Sequence, residues 1–316
     1  MMKKINDIIG DAKTIGIAGH LRPDGDCMGS CMSLYNYLKK NRPDLDVRVF
    51  LEFVDKKFNI IENTDQIITT GYDGTKFDLF ISLDTASLDR LGLNLPFYEN
   101  AKRTACIDHH ASNDGYADYN YILPKASSAS EVLYDLLDEE LIDKSIAEPM
   151  YMGIAHDSGV FRFQSTTPKT MRIAANMIEK GVNVNMILEE TFFRKTYNQM
   201  MVTAKIQSEA VLALDGKCIY GYCTSEMMEE YGVTTKDLDA VVASIRNVDG
   251  VEVAMFLYQL SEDSYKVSLR SKNYVDVSKI AVENGGGGHV RAAGAEIHGK
   301  LNDIINKLLN RIKQDI

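Results

Sequence analysis

Residues 14–26 read TIGIAGHLRPDGD and join a short apolar strand to a turn rich in His and Asp. Thr14–Ala18 is β-prone. His20, Asp24 and Asp26 follow at His-x-x-x-Asp-x-Asp spacing, and Pro23 and Gly25 permit a tight bend. Asp24 and Asp26 flank one glycine, so their carboxylates can face two neighbouring cations. Met28, Cys31, Met32, Tyr35 and Leu38 then recur at helical spacing. Strand, polar turn and helix make half of a βαβ unit. Open α/β sheets present their ligand site at the carboxyl ends of the strands, which is where this turn falls.

The same layout recurs downstream. Leu79–Leu83 ends in Asp84, and strand 104–107 ends in Asp108-His109-His110. With strands at 47–51 and 66–69, the pattern predicts βαβ units and a mainly parallel sheet. A fourth segment, GIAHDSG at 153–159, supplies Asp157. Taken singly, each has an ordinary reading: Asp-Gly-Asp as a loop, Asp84 as a cap, 153–159 as a turn. Together they gather hard carboxylates and imidazoles at one sheet edge. Carboxylate suits Mg²⁺ and Mn²⁺, and imidazole tilts the choice toward Mn²⁺, Fe²⁺, Co²⁺ or Zn²⁺.

The second half changes character. Ser128 and Glu131 have capping-box spacing, and Thr167-Pro168 starts another helix that stops near Gly181. Helical periodicity runs through 184–207. A strand at 217–224 and a hairpin of 251–260 with 265–269 come next, then a helix at 276–283 and an amphipathic helix at 302–316. Between the last two lies Gly285-Gly286-Gly287-Gly288-His289. Such a run reaches φ > 0 and lets backbone N–H groups cradle an anion. Arg270, at the end of a predicted strand, can grip phosphate with two parallel hydrogen bonds, and Ser271 lies beside it.

The whole chain bounds these readings. Its 316 residues suggest about two domains. The predicted division is an N-terminal domain at 1–183, a helical connector at 184–207 and a smaller mixed α/β domain at 208–316, with the site in the cleft between. A formal net charge of −10 argues against a protein that tracks long DNA or RNA, because such binding neutralises many phosphates. It favours a small phosphorylated ligand. No apolar run is long enough to span a membrane. Asp7 and Asp11 interrupt the segment after Lys3-Lys4, against a secretory signal, and five scattered cysteines fit a reducing cytosol. The expected location is therefore cytoplasmic. Cys27 and Cys31 read as core thiols, Phe161 and Phe163 as packing rings, and His156 as a neighbour of the site.

The four N-terminal motifs match, in order and kind, those of the DHH phosphoesterase superfamily. Gly285-Gly286-Gly287-Gly288-His289-x-x-Ala292-Ala293-Gly294 resembles the signature of its associated C-terminal domain. The similarity spans almost the whole chain and is greatest to the nano-RNA ribonuclease and pAp-phosphatase branch. It implies an α/β hydrolase with two Mn²⁺ ions, Mg²⁺ or Co²⁺ being substitutes. His20, Asp24 and Asp84 would hold one ion. Asp26, Asp84, His109 and Asp157 would hold the other, with Asp84 bridging. His110 would contact the scissile phosphate and Asp108 would orient the histidines. Arg270, Ser271, Gly286, Gly287, Gly288 and His289 would bind substrate. The implied substrates are short RNA oligonucleotides and pAp, with a homodimer as a compatible assembly. Hydrolysis of pApA or cyclic di-AMP is the alternative. A non-catalytic nucleotide sensor would show broken ligand positions, and none is missing here. The resemblance also has departures: His156 stands where a small polar residue is usual, and Asn284 where an aromatic is.

Overall fold

The computed structural model describes residues 4–238 and 241–316. The chain divides between Arg194 and Lys195 into two compact units. That division falls inside the segment read as one connector. There the chain forms a helix at Val184–Leu188, a wide π-helical turn at Glu189–Phe193, and a separate helix at Tyr197–Ser208.

The first unit is built on five parallel strands in the order β2-β1-β3-β4-β5. These are β1 (Thr14–Ala18), β2 (Asp46–Phe50), β3 (Leu79–Leu83), β4 (Thr104–Asp108) and β5 (Tyr119–Ile122). All of β3 is buried, as a central strand covered on both faces must be. On one face, the helices Gly25–Asn41, Ala129–Leu136 and Lys144–Asp157 contribute to a large aliphatic core that includes Cys27 and Cys31. On the other, Phe50, Phe77, Phe80 and Phe97 cluster, with Phe50 and Phe97 centroids 4.4 Å apart.

Two expected elements differ. Strand 66–69 is not formed: Thr64–Gln66 is a 3₁₀ turn, and only Ile68 bridges to Phe50. Asn63 enters that turn at φ 66°, which bends the chain away from an extended path. The sheet's fifth strand is instead β5, whose half-exposed, polar-rich YNYI carries a weak apolar signal.

The second unit carries a six-stranded mixed sheet, order β10-β11-β9-β8-β7-β6. Its strands are β6 (Val211–Ala213), β7 (Cys218–Cys223), β8 (Val253–Ser261), β9 (Ser264–Ser271), β10 (Gly287–His289) and β11 (Ala292–His298). β8 and β9 form the expected antiparallel hairpin, and β7 joins β8 in parallel. The helices Val277–Val282 and Leu301–Ile312 bury Ile280, Ile304, Leu308 and Ile312 in one core. Val202, Ile206 and Val241 belong to a second, with Phe256 of β8.

A buried carboxylate organises this unit's loop before the Gly-rich run. Glu252 accepts from the backbone N–H groups of Asn273, Tyr274 and Val275 and from the Asn273 amide. Burial opposes its ionisation, but these donors outweigh burial and hold its pKa below the usual value. A depressed carboxyl pKa stabilises the fold above the unfolded value, and that contribution is lost as pH falls through the folded one. Glu252→Gln is expected to cost about 2 kcal/mol, the range of charge-assisted bonds, and to lower the melting temperature of this unit by roughly 8 °C at pH 7. The gap between parent and variant should narrow below pH 4 in a calorimetric pH series. A gap that is constant with pH would exclude an ionised Glu252.

Candidate metal centre

The parallel sheet sends three polar turns to one edge, and the Lys144–Asp157 helix ends beside them. Three groups of potential ligand atoms lie together there: His20, Asp24 and Asp84; Asp84, His109 and His110; and Asp26, His109 and Asp157. Asp84 belongs to two of the groups and His109 to two. His20 Nε2 stands 3.7 Å from Asp24 Oδ1 and 3.5 Å from Asp84 Oδ2. His109 Nε2 stands 3.5 Å from Asp84 Oδ1 and 3.1 Å from Asp157 Oδ2. The six residues assigned to metal from the sequence thus form one continuous cluster.

Local structure aims each of them. Asp24 is the N-cap of the Gly25–Asn41 helix and accepts from the N–H groups of Asp26 and Cys27. His20 Nδ1 lies 2.7 Å from the Leu21 carbonyl, an arrangement that protonates Nδ1 and turns Nε2 toward the carboxylates. Asp26 is fully buried, and both of its oxygens meet the N-terminus of the Ala129–Leu136 helix. Ala129 N–H donates to Oδ2 at 2.5 Å and Ser130 N–H to Oδ1 at 3.0 Å. A helix N-terminus favours an anion in that place. Ser128 caps this helix as its spacing predicts, but Glu131 does not complete the capping box. Its carboxylate takes the hydroxyls of Ser127 and Thr170 instead.

Asp84 ends β3 at φ 51°, in the left-handed region that Asp tolerates better than most residues but still at a cost. It is 3% exposed, and among the described residues its Oδ1 makes no hydrogen bond, although His109 and His110 nitrogens stand 3.5 and 3.6 Å away. A strained backbone that buries an unsatisfied carboxylate oxygen between imidazoles fits an oxygen meant for a cation.

The charge balance says the same. Burial works against a charged His109, but Asp157 and Asp84 outweigh it and hold its pKa up to about 12. Burial, with the charges of Asp24 and Asp84, pushes Asp157 up to about 6 against the pull of His109. Burial and then the charges of Asp84 and Asp157 raise Asp26 well above its ordinary value. Four carboxylates and two imidazoles are thus crowded into one buried place. This donor set fits divalent cations.

Asp108 and His110 form a pair beside the cluster. Asp108 Oδ1 holds His110 Nδ1 at 2.8 Å, and its Oδ2 accepts from Asn113 Nδ2 at 2.7 Å. Asp108 therefore orients the His110 ring. Asn113, which also donates to the Thr85 carbonyl, was not marked by any spacing signal in the sequence. His156 Nε2 lies 2.9 Å from Thr191 Oγ1. Burial, with the nearby charge of Lys57, lowers its pKa to about 4, so it is neutral. Phe161 packs on Tyr151, whereas Phe163, read as a packing ring, is 41% exposed.

In the second unit, Arg270 is the last but one residue of β9 and pairs with Ala292, with its Nη1 donating to the Leu269 carbonyl. Ser271 is buried, its hydroxyl 3.5 Å from the Val290 carbonyl. Arg291 is engaged with the Val275 and Asn273 carbonyls. Gly287–His289 forms the exposed edge strand β10, so the glycine run is partly ladder and not wholly an open nest. A Cβ at Gly286 would meet the Gly294 carbonyl at 2.1 Å, which explains that glycine by strand packing.

Two family models match the chain, one on each side of the division between Arg194 and Lys195. Residues 14–154 match the DHH family, N-terminal domain, and residues 215–314 match the DHHA1 domain. A bifunctional oligoribonuclease and PAP phosphatase NrnA of Thermus thermophilus is 31% identical over 313 residues, 96% of this chain and 90% of that protein. The protein of the same name from Bacillus subtilis is 27% identical over 90% of each chain. The crystal structure of an exopolyphosphatase-related protein from Bacteroides fragilis superposes with a TM-score of 0.89 over 98% of this chain and 95% of that one, at 23% identity, and shares the fold.

Proposed function

We propose that this chain, which belongs to the DHH family and joins a DHH domain to a DHHA1 domain, is a metal-dependent phosphoesterase acting on short oligoribonucleotides and on pAp. The products would be nucleoside 5′-monophosphates from the former and AMP with inorganic phosphate from the latter. The observation that carries this reading is the buried, unsatisfied Asp84 carboxylate shared by two clusters of ligand atoms. His20, Asp24 and Asp84 would hold one ion, and Asp26, Asp84, His109 and Asp157 the other. Mn²⁺ is the ion we assign, since imidazole and carboxylate are mixed in the donor set. Two such ions supply Lewis acidity toward phosphoryl oxygens and a strong oxygen nucleophile near neutral pH.

The chain's own groups do the rest. Asp108 fixes the His110 ring through Nδ1, which presents Nε2 as a donor toward a phosphoryl oxygen gaining charge. The helix N-terminus at Ala129 keeps Asp26 in place without a cation from the protein. Arg270, the Gly286–Gly287–Gly288 backbone and His289 would bind a phosphate group of the substrate, with Ser271 bracing the segment that enters β11 through the Val290 carbonyl. We assign a cytoplasmic enzyme that can act as a homodimer. Among the described residues no helix is long and apolar enough to cross a membrane.

The test is a competition panel with Mn²⁺: pAp, pApA, an RNA trimer, an RNA of about 24 nucleotides, cyclic di-AMP and pyrophosphate. Short linear RNA and pAp should give the highest kcat/KM, at least about tenfold above the long RNA, a difference of only about 1.4 kcal/mol in transition-state binding. Fastest cleavage of cyclic di-AMP would move the function to signalling-nucleotide turnover.

A further inference from the structure

We infer that His156 is a positioning residue, held by Thr191, that keeps the Asp24-Gly25-Asp26 turn in ligating shape. The inference rests on the metal-centre reading above and assigns a support to it.

Three observations converge. The first is contact. A Cβ built on Gly25 would fall 2.1 Å from His156 Cγ and 2.3 Å from Nδ1, so the ring occupies the space a side chain at 25 would need. The imidazole thus lies directly against the backbone that joins Asp24 to Asp26. The second is a fixed orientation. Thr191 Oγ1 donates its one proton to the Ile187 carbonyl at 2.7 Å, so toward His156 it can only accept. His156 is therefore the Nε2–H tautomer, and its ring plane is set by a hydroxyl that is itself tied down. Thr191 is 4% exposed, which shields that bond from solvent.

The third is the element that supplies Thr191. It lies in the π-helical turn Glu189–Phe193, immediately after the Val184–Leu188 helix. One extra residue in a helical turn rotates the downstream side chains by about 100°, and such turns recur at functional sites. The same turn sends Phe192 against the His156 ring, with centroids 5.4 Å apart, while Phe58 approaches at 6.0 Å from another segment. The ring is thus confined on several sides and pressed on Gly25. The neighbouring Asp157 is itself in the ligand cluster, so one stretch of helix both supplies a ligand and braces the turn that supplies two more.

The experiment uses the full chain with three variants: Thr191→Val, His156→Phe and His156→Gln. Valine keeps the volume of threonine without the hydroxyl. Phenylalanine keeps a ring without a donor. Glutamine keeps a donor. Mn²⁺ affinity is measured by titration calorimetry, the metal-free melting temperature by scanning calorimetry, and kcat and KM for pAp at saturating Mn²⁺. T191V and H156F should each weaken Mn²⁺ binding about tenfold or more, the usual effect of removing an outer partner of a metal ligand. The metal-free melting temperature should stay within a few degrees, and kcat at saturating Mn²⁺ should fall less than the affinity. H156Q should bind Mn²⁺ to within about threefold of the parent. Parent-like affinity in T191V overturns the proposal, and that variant decides the matter if H156F does not fold. H156Q as weak as H156F overturns it too. A parent protein that binds no Mn²⁺ would instead overturn the metal-centre reading itself.

Discussion

Asp84→Asn is expected to lower kcat on pAp by at least about 10³-fold, roughly 4 kcal/mol of barrier, while the chain remains folded. Asparagine is nearly isosteric and accepts the left-handed backbone that residue 84 adopts at φ 51°, so the end of β3 need not move. What is lost is one charge that serves two clusters at once. In the metal-free chain that charge is a mixed asset. It attracts His20 and His109 but raises Asp26 and Asp157, so its removal should leave the metal-free melting temperature within a few degrees of the parent. The sharper readout is the response to metal. A ligand present at 100 times its dissociation constant stabilises the folded state by about 2.7 kcal/mol, which for a unit of this size is roughly 5–10 °C. The parent should show that rise with Mn²⁺ and lose it with EDTA, and D84N should show neither. Turnover in D84N above a tenth of the parent rate would remove Asp84 from the bridging position and with it the shared-ligand account.

The sequence made the ligands legible because topology leaves them little freedom. A parallel strand order forces the residues after β1, β3 and β4 to one edge, so His20, Asp84 and His109 had to be neighbours once those strands were assigned. The supports were not legible. Asp26 is fixed by N–H groups more than 100 positions away, and Ser128 advertises a helix cap without revealing which carboxylate the capped end will meet. Asn113 reaches Asp108, and Thr191 reaches His156, through hydrogen bonds that no period or motif encodes. The predicted strand at 66–69 failed because Asn63 turns left-handed and spends the next three residues in a 3₁₀ turn. Periodicity over 184–207 implied one connector, yet a π turn and the break after Phe193 leave two helices assigned to different units. The glycine run was read as an anion cradle, and no spacing rule announced the strand packing that occupies Gly286 or the edge strand at Gly287–His289.

Gly153→Ala should be nearly as damaging as loss of a ligand, although glycine carries no chemistry. Gly153 lies in the Lys144–Asp157 helix where it crosses the Gly25–Asn41 helix, and Gly29 of the latter approaches its backbone closely. A methyl group there would sit 2.1 Å from Ser130 Oγ and 2.6 Å from Asp26 Oδ1. In a helix interior alanine is ordinarily preferred to glycine by about 1 kcal/mol, so propensity alone predicts stabilisation. Overpacking wins, because Asp26 is fully buried and is tethered through both oxygens to the Ala129–Leu136 helix. Relief requires either that helix or the carboxylate to move, and the carboxylate is one of the three groups around His109 and Asp157. If the parent binds two Mn²⁺ as proposed, G153A is expected to bind one, and to lose about 10²-fold or more in kcat. Its melting temperature should fall by an amount corresponding to about 1–3 kcal/mol. Ser130→Ala separates the two contacts. Among the described residues the Ser130 hydroxyl makes no well-formed hydrogen bond, although it stands close enough to Asp26 to favour its charged form, so its removal costs little by itself. In the double variant it should restore part of the stability by removing the 2.1 Å clash. It should not restore the second Mn²⁺, since the contact with Asp26 Oδ1 remains. Full recovery of metal stoichiometry in the double variant would show that Ser130 alone bears the strain, and that Asp26 is not held as tightly as its two N–H partners imply.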